Sequence, residues 1–195
     1  MKMSGEELIP APQQKVWEAL NDPDVLKQCI PGCEEINKTS PTEFEARVVA
    51  RVGPVKATFN GAVKLSDIDA PNGYTISGEG KGGAAGFAKG GAKVRLTPEG
   101  DSTRLAYDVD AQVGGKLAQI GSRLIDSTAK KMADEFFGRF AEIAGGGATV
   151  AEASVGAETP AAKPQTTGKT GLPSWVVPAI IAILLGLGIY LLGRL

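Results

Sequence analysis

The sequence predicts an α+β domain in which a curved antiparallel sheet wraps around one long C-terminal helix. Several segments between Phe44 and Val113 alternate apolar and polar residues. That period-two pattern marks strands with one buried and one wet face. Turns built on Gly and Pro separate these segments, so neighbouring strands pair antiparallel. Residues 116–143 instead carry apolar side chains at helical spacing, and a half-buried sheet needs such a cover.

The elements follow in order. Residues 3–9 form a short strand. Ala11-Pro12 opens a helix to Leu20, with Val16, Trp17 and Leu20 as its apolar face and proline where the first turn tolerates it. Asp22-Pro23 stops that helix, a second short one runs to about Cys29, and Ile30-Pro31-Gly32 turns the chain. Phe44, Ala46, Val48, Ala50 and Val52 define the next strand. Gly53-Pro54 turns it into a strand of Ala57, Phe59, Gly61, Val63 and Leu65. After Pro71-Asn72-Gly73, Tyr74 and Ile76 begin another. Ala92, Val94 and Leu96 form the following strand, and Leu105, Tyr107, Val109, Ala111 and Val113 the last. The helix then places Leu117, Ile120, Leu124, Thr128, Met132, Phe136, Phe140 and Ile143 on one side, over about seven turns.

Small residues are frequent on the inner face: Ala46, Ala50, Ala57, Gly61, Ala92 and Ala111. They either let the helix pack closely or leave an apolar pocket beneath it. The pocket reading expects a lining of Ala57, Phe59, Gly61, Val94, Tyr107 and Val109 from the sheet. Leu117, Ile120 and Leu124 would line it from the helix, with Phe87 as a plug on a glycine-rich lip. Residues 78–83 match G-x-G-x-x-G, but they lie between antiparallel strands with no following helix. A bend therefore explains them better than a nucleotide site.

The chain contains no His and two Cys, Cys29 and Cys33. It thus lacks the commonest general base and metal ligand, and no catalytic constellation or metal set emerges. Asp108 and Asp110 fall on the wet face of their strand. A formal net charge of −1 gives no pull on phosphate backbones, so nucleic acid is not an expected partner.

No charged residue occurs in 172–193, and Trp175 and Tyr190 sit near the two ends of the run. It is long enough to cross a hydrocarbon core of about 30 Å, with aromatics at interfacial depth. Residues 144–171 are rich in Ala, Gly, Thr and Pro, the composition of a flexible linker with a reach of roughly 30 Å. Glu6-Glu7 precede any apolar run, so no signal peptide is expected. The expected organisation is a domain at 1–143, a linker at 144–171 and a single-pass C-terminal anchor at 172–193. The domain would face the cytoplasm at the cytoplasmic membrane.

Ordered motifs then become specific. They are Cys29-Ile30-Pro31-Gly32-Cys33-Glu34, Val52-Gly53-Pro54-Val55, Gly78-Glu79-Gly80, Ala85-Gly86-Phe87-Ala88, Val113-Gly114-Gly115-Lys116-Leu117-Ala118-Gln119, Gly121-Ser122-Arg123-Leu124-Ile125-Asp126 and Ala133-Asp134-Glu135-Phe136-Phe137. Together they resemble the carbon monoxide dehydrogenase G-subunit family, within the START-like (SRPBCC, helix-grip, Bet v 1-like) superfamily. The resemblance implies a non-catalytic accessory protein that docks a molybdenum-containing carbon monoxide dehydrogenase at the membrane. With the apolar pocket it suggests a bound lipophilic quinone, menaquinone or ubiquinone, linking CO oxidation to the respiratory chain. A pure scaffold is the alternative. Ile30, Pro31 and Gly32 would then serve as partner or pocket-mouth contacts, or only as structure.

Overall fold

The computed structural model describes residues 1–146. Seven strands form one antiparallel sheet in the order β1-β7-β6-β5-β4-β3-β2. They are β1 (Lys2–Ile9), β2 (Cys33–Ser40), β3 (Glu43–Val52), β4 (Val55–Asp69), β5 (Gly73–Lys81), β6 (Phe87–Glu99) and β7 (Ser102–Gly114). Helices α1 (Gln13–Leu20) and α2 (Pro23–Cys29) bridge β1 to β2 at opposite edges of the sheet. The chain then meanders through adjacent hairpins from β2 to β7. Register shifts interrupt β2–β3 near Cys33 and Lys38, and β4–β5 between Ser66 and Asp69. Such irregularities bend strands and add twist, so the sheet can curl around a helix.

That cover is α3 (Lys116–Gln119) followed by α4 (Ser122–Ala144), where one unbroken helix was expected. Gly121 divides them at φ +95°, a conformation no right-handed helix contains. Along α4 the buried side chains are Ile125, Ala129, Met132, Ala133, Phe136, Phe137, Phe140 and Ala144. Their three-and-four spacing is one stripe facing the sheet.

Strand β2 has no counterpart in the sequence reading. Only Ile36 of its eight residues is buried, because an edge strand lies open to water on most sides and needs no alternation. The α1–α2 end is tied to β7 by Thr103, fully buried, whose hydroxyl donates to the Ala11 carbonyl at 2.7 Å. Asp22 caps α2 by accepting from the Asp24 backbone N–H at 2.8 Å, with Pro23 in the first turn. On the outer face Arg95 pairs with Asp108 at 2.8 Å and Lys2 with Asp110 at 3.7 Å. Both aspartates lie on the wet face, as their alternation required, and such exposed pairs contribute little.

Among the described residues no helix is long and apolar enough to cross a membrane. The expected linker, beyond its first three residues, and the expected spanning helix at 172–193 lie outside the described residues.

A candidate ligand cavity between sheet and helix

The C-terminal half of α4 does not seal the sheet. Between Ala133, Phe136 and Phe137 of α4 and the inner sheet face lies a cavity of about 100 Å³. Ile36 and Phe44 close one side; Val63, Leu65, Tyr74 and Ile76 form the floor; Ala92, Val94, Leu105 and Tyr107 complete the wall. Leu20 of α1 and Leu26 of α2 close its end. A chain of aromatic contacts frames the gap. Tyr107 stacks on Phe137 at 5.2 Å, Phe137 meets Phe136 edge-on at 5.1 Å, and Phe136 stacks on Phe140 at 5.6 Å. Such offset-stacked and edge-to-face pairs are favoured ring arrangements.

Its walls are hydrocarbon apart from two phenols. Tyr74 is 5% exposed and meets Trp17 edge-on at 5.4 Å. Tyr107 leans across the sheet until its hydroxyl lies over Gly5 of β1. Gly5 and Glu7 share the inner face of β1. The Tyr107 hydroxyl therefore points into the seam between β1 and α4, near the carboxylates of Glu7 and Asp134. Burial, then the charges of Glu7 and Asp134, push its pKa up to about 12. Burial, then the Asp134 charge, raises Glu7 above the usual carboxylate range. Burial also raises Asp134, against the pull of Lys130.

A second, smaller space of about 30 Å³ lies under the N-terminal half of α4. Its walls include Ala50, Phe59, Ala88, Leu117, Ile125 and Met132. The two spaces share no lining residue; Met132 and Ala133, adjacent on α4, line one each.

The ten residues expected to line a pocket are dispersed between these places. Val94 and Tyr107 line the larger cavity; Phe59 and Leu117 line the smaller. Val109 is buried at 5% and lines neither. Ala57 and Gly61 are half-buried on β4, and Gly61 borders a polar groove on the sheet. Ile120 is half-buried. Phe87 is 41% exposed and lies over Gly114, while Leu124 is 40% exposed and lies over Gly53. Of the six small residues, only Ala92 lines the larger cavity. The residues missed were its large walls, Phe44, Tyr74, Phe136 and Phe137 among them. Their signal was present as aromatics at inward positions, but a large side chain reads as filling space rather than framing it.

The motif turn has a structural explanation. Ile30 is 1% exposed and sits in the core, and the Gly32 carbonyl accepts from the Val49 N–H at 2.8 Å. Gly32 adopts φ +74°, and a Cβ there would run into the Val49 carbonyl oxygen. Pro31 at its side is half-buried. Burial pushes the Cys29 thiol up to about 12 and raises Cys33 as well, so neither is poised as a nucleophile.

Comparison with known proteins agrees with this architecture. The profile of CoxG, the G-subunit family of carbon monoxide dehydrogenase, matches residues 5–145. A conserved protein from Geobacillus kaustophilus, known by crystal structure, is 29% identical at a TM-score of 0.70, over 74% of this chain and 95% of that one. TTHA0849 from Thermus thermophilus is 17% identical at a TM-score of 0.54, over 76% of this chain and 100% of that one. Ara h 8.0201 is 16% identical at a TM-score of 0.55, over 74% of this chain and 97% of that one. The last two speak for the fold alone. A search of curated proteins finds no match to the chain. With its helix-grip fold and a profile match that spans nearly the whole described domain, the chain belongs to the carbon monoxide dehydrogenase G-subunit (CoxG) family.

Proposed function

We propose that the protein is a non-catalytic accessory component of a carbon monoxide dehydrogenase. In this reading the molybdenum enzyme is recruited to the cytoplasmic membrane, and the helix-grip domain carries a lipophilic quinone between bilayer and enzyme. The observation that carries the proposal is the apolar cavity under Phe136 and Phe137 in a domain of this family. The uncharged run at 172–193 would supply the anchor. Burying an isoprenoid and a quinone ring there gains roughly 25 cal/mol per Å² before ordering costs. Menaquinone and ubiquinone both fit this chemistry.

A specific observation favours the second reading, a pure scaffold. The cavity, at about 100 Å³, is smaller than the roughly 150 Å³ that admits benzene. A quinone ring therefore enters only if α4 or the α1–α2 end gives way. A scaffold needs no such movement: tethering alone raises the local concentration of its partner.

Ala133→Phe separates the two, since Ala133 is 2% exposed and faces the cavity. If the protein is a carrier, the variant still brings the dehydrogenase to the membrane but no longer supports CO-dependent respiration. If it is a scaffold, the folded variant supports both.

A further inference from the structure

We infer that the end of the domain bearing Leu124 and Phe87 docks on an anionic lipid surface. This rests on the reading of the protein as one held at a membrane, and not on any occupant of the cavity.

The long strands give the domain two ends. At one, Val52 pairs with Val55, Lys81 with Phe87 and Phe87 with Gly114, and α3 and the start of α4 follow directly. At the other, hairpins close at Ser40–Glu43, Asp69–Gly73 and Glu99–Ser102, and Gly145 lies against Pro10.

Charge divides with these ends. The first carries Arg51, Lys56, Lys116 and Arg123, all exposed and, among the described residues, none in an ion pair. Its acidic residues are Asp126, near the start of α4, and Glu79, paired with Lys81 at 3.5 Å. The hairpins of the second end carry Glu43, Asp67, Asp69, Glu99 and Asp101 against Lys64 and Arg104. Arg51 and Lys56 also stand directly opposite each other across β3 and β4. Like charges so placed destabilise a strand pair, and a nearby anion offsets the repulsion.

Apolar side chains share the basic end. Leu124 is 40% exposed and lies with Ile120 against Gly53 at the hairpin tip, and Phe87 is 41% exposed. Val52 and Val55, half-buried, flank Gly53 and the exposed Pro54. Exposed apolar residues alone name no partner. Ile68 is as exposed, yet it sits between Asp67 and Asp69, where an anionic surface repels. Beside unpaired lysines and arginines the same chemistry fits a bilayer. Lipid phosphates attract the cations while the leucine and phenylalanine enter the interface.

The chain permits this orientation. It leaves the described residues at the acidic end, and α4, 23 residues long, sets the ends about 34 Å apart. Residues 147–171 reach up to roughly 80 Å when extended. The uncharged run at 172–193 can therefore sit in the bilayer that the basic end meets.

The test reconstitutes the full chain, in a Cys33→Ser background, into vesicles containing a doxyl-labelled lipid as quencher. One set is phosphatidylcholine, the other an equal mixture of phosphatidylcholine and phosphatidylglycerol. A nitrobenzoxadiazole fluorophore is attached at Leu124→Cys or, as the control at the acidic end, at Ile68→Cys. In the anionic vesicles the label at 124 should lose most of its emission, and the label at 68 should not. Salt at about 1 M, where the screening length falls to about 3 Å, should restore the emission. Lys116→Gln with Arg123→Gln should lower the ratio of docked to undocked domain about 25-fold, roughly five-fold per charge. An unquenched label at 124 in anionic vesicles would overturn the inference, and so would equal quenching at 124 and 68. Quenching at 124 that is the same in phosphatidylcholine and in high salt would overturn it as well. A full chain that floats with neither kind of vesicle would overturn the membrane reading and this inference together.

Discussion

Gly32 illustrates how much a single position can be constrained. Its φ of +74° and the nearby Val49 carbonyl leave no room for a Cβ. Gly32→Ala should cost about 1–3 kcal/mol in chemical denaturation, and an unchanged midpoint would refute the structural role. Glu7 and Asp134 set a pH dependence. Both carboxyls hold their protons more tightly folded than unfolded. Their contribution to stability is complete below the ordinary carboxylate range and is lost as pH rises through the raised values. The melting temperature should therefore gain from these groups as pH falls from neutral toward and into the carboxylate range. Glu7→Gln with Asp134→Asn should flatten that slope. The buried Cys29 thiol, held at about 12, should resist alkylation at pH 8 until the protein unfolds.

At the scale of elements, the strands from β3 to β7 were legible wherever one face is buried. Phe44, Ala46, Val48 and Ala50 are inward in the structure as their alternation required. β2 was not legible, since a nearly all-polar edge strand carries no period to read. The break between α3 and α4 was hidden for another reason. Leu117, Ile120 and Leu124 keep helical spacing across it, although Leu124 is largely exposed. Gly121 alone marks the interruption, and an isolated glycine within a helical pattern is a weak signal. Because a Cβ at Gly121 meets open space, Gly121→Ala should cost only the strain of its φ 95°, ψ 143° backbone, about 1–3 kcal/mol. A loss several times larger, read by thermal melting, would mean that α3 and α4 depend on that angle for their packing.

For the whole molecule, a domain that wraps a sheet around α4 was readable, while the position of its cavity was not. Small inward residues suggested space near Ala57 and Gly61, but the larger cavity sits where stacked aromatics prop α4 over Tyr74 and Ala92. Packing of rings is a property of three dimensions, and the order of residues along a strand does not encode it. The central claim, a quinone-carrying CoxG-family protein, is tested most directly by lipid analysis. The full chain, purified from membranes in mild detergent, should release a lipophilic quinone on solvent extraction, detected by mass spectrometry. Ala133→Phe, purified alongside, should release little. Absence of quinone from the wild-type protein, with none taken up when it is added, would contradict the claim.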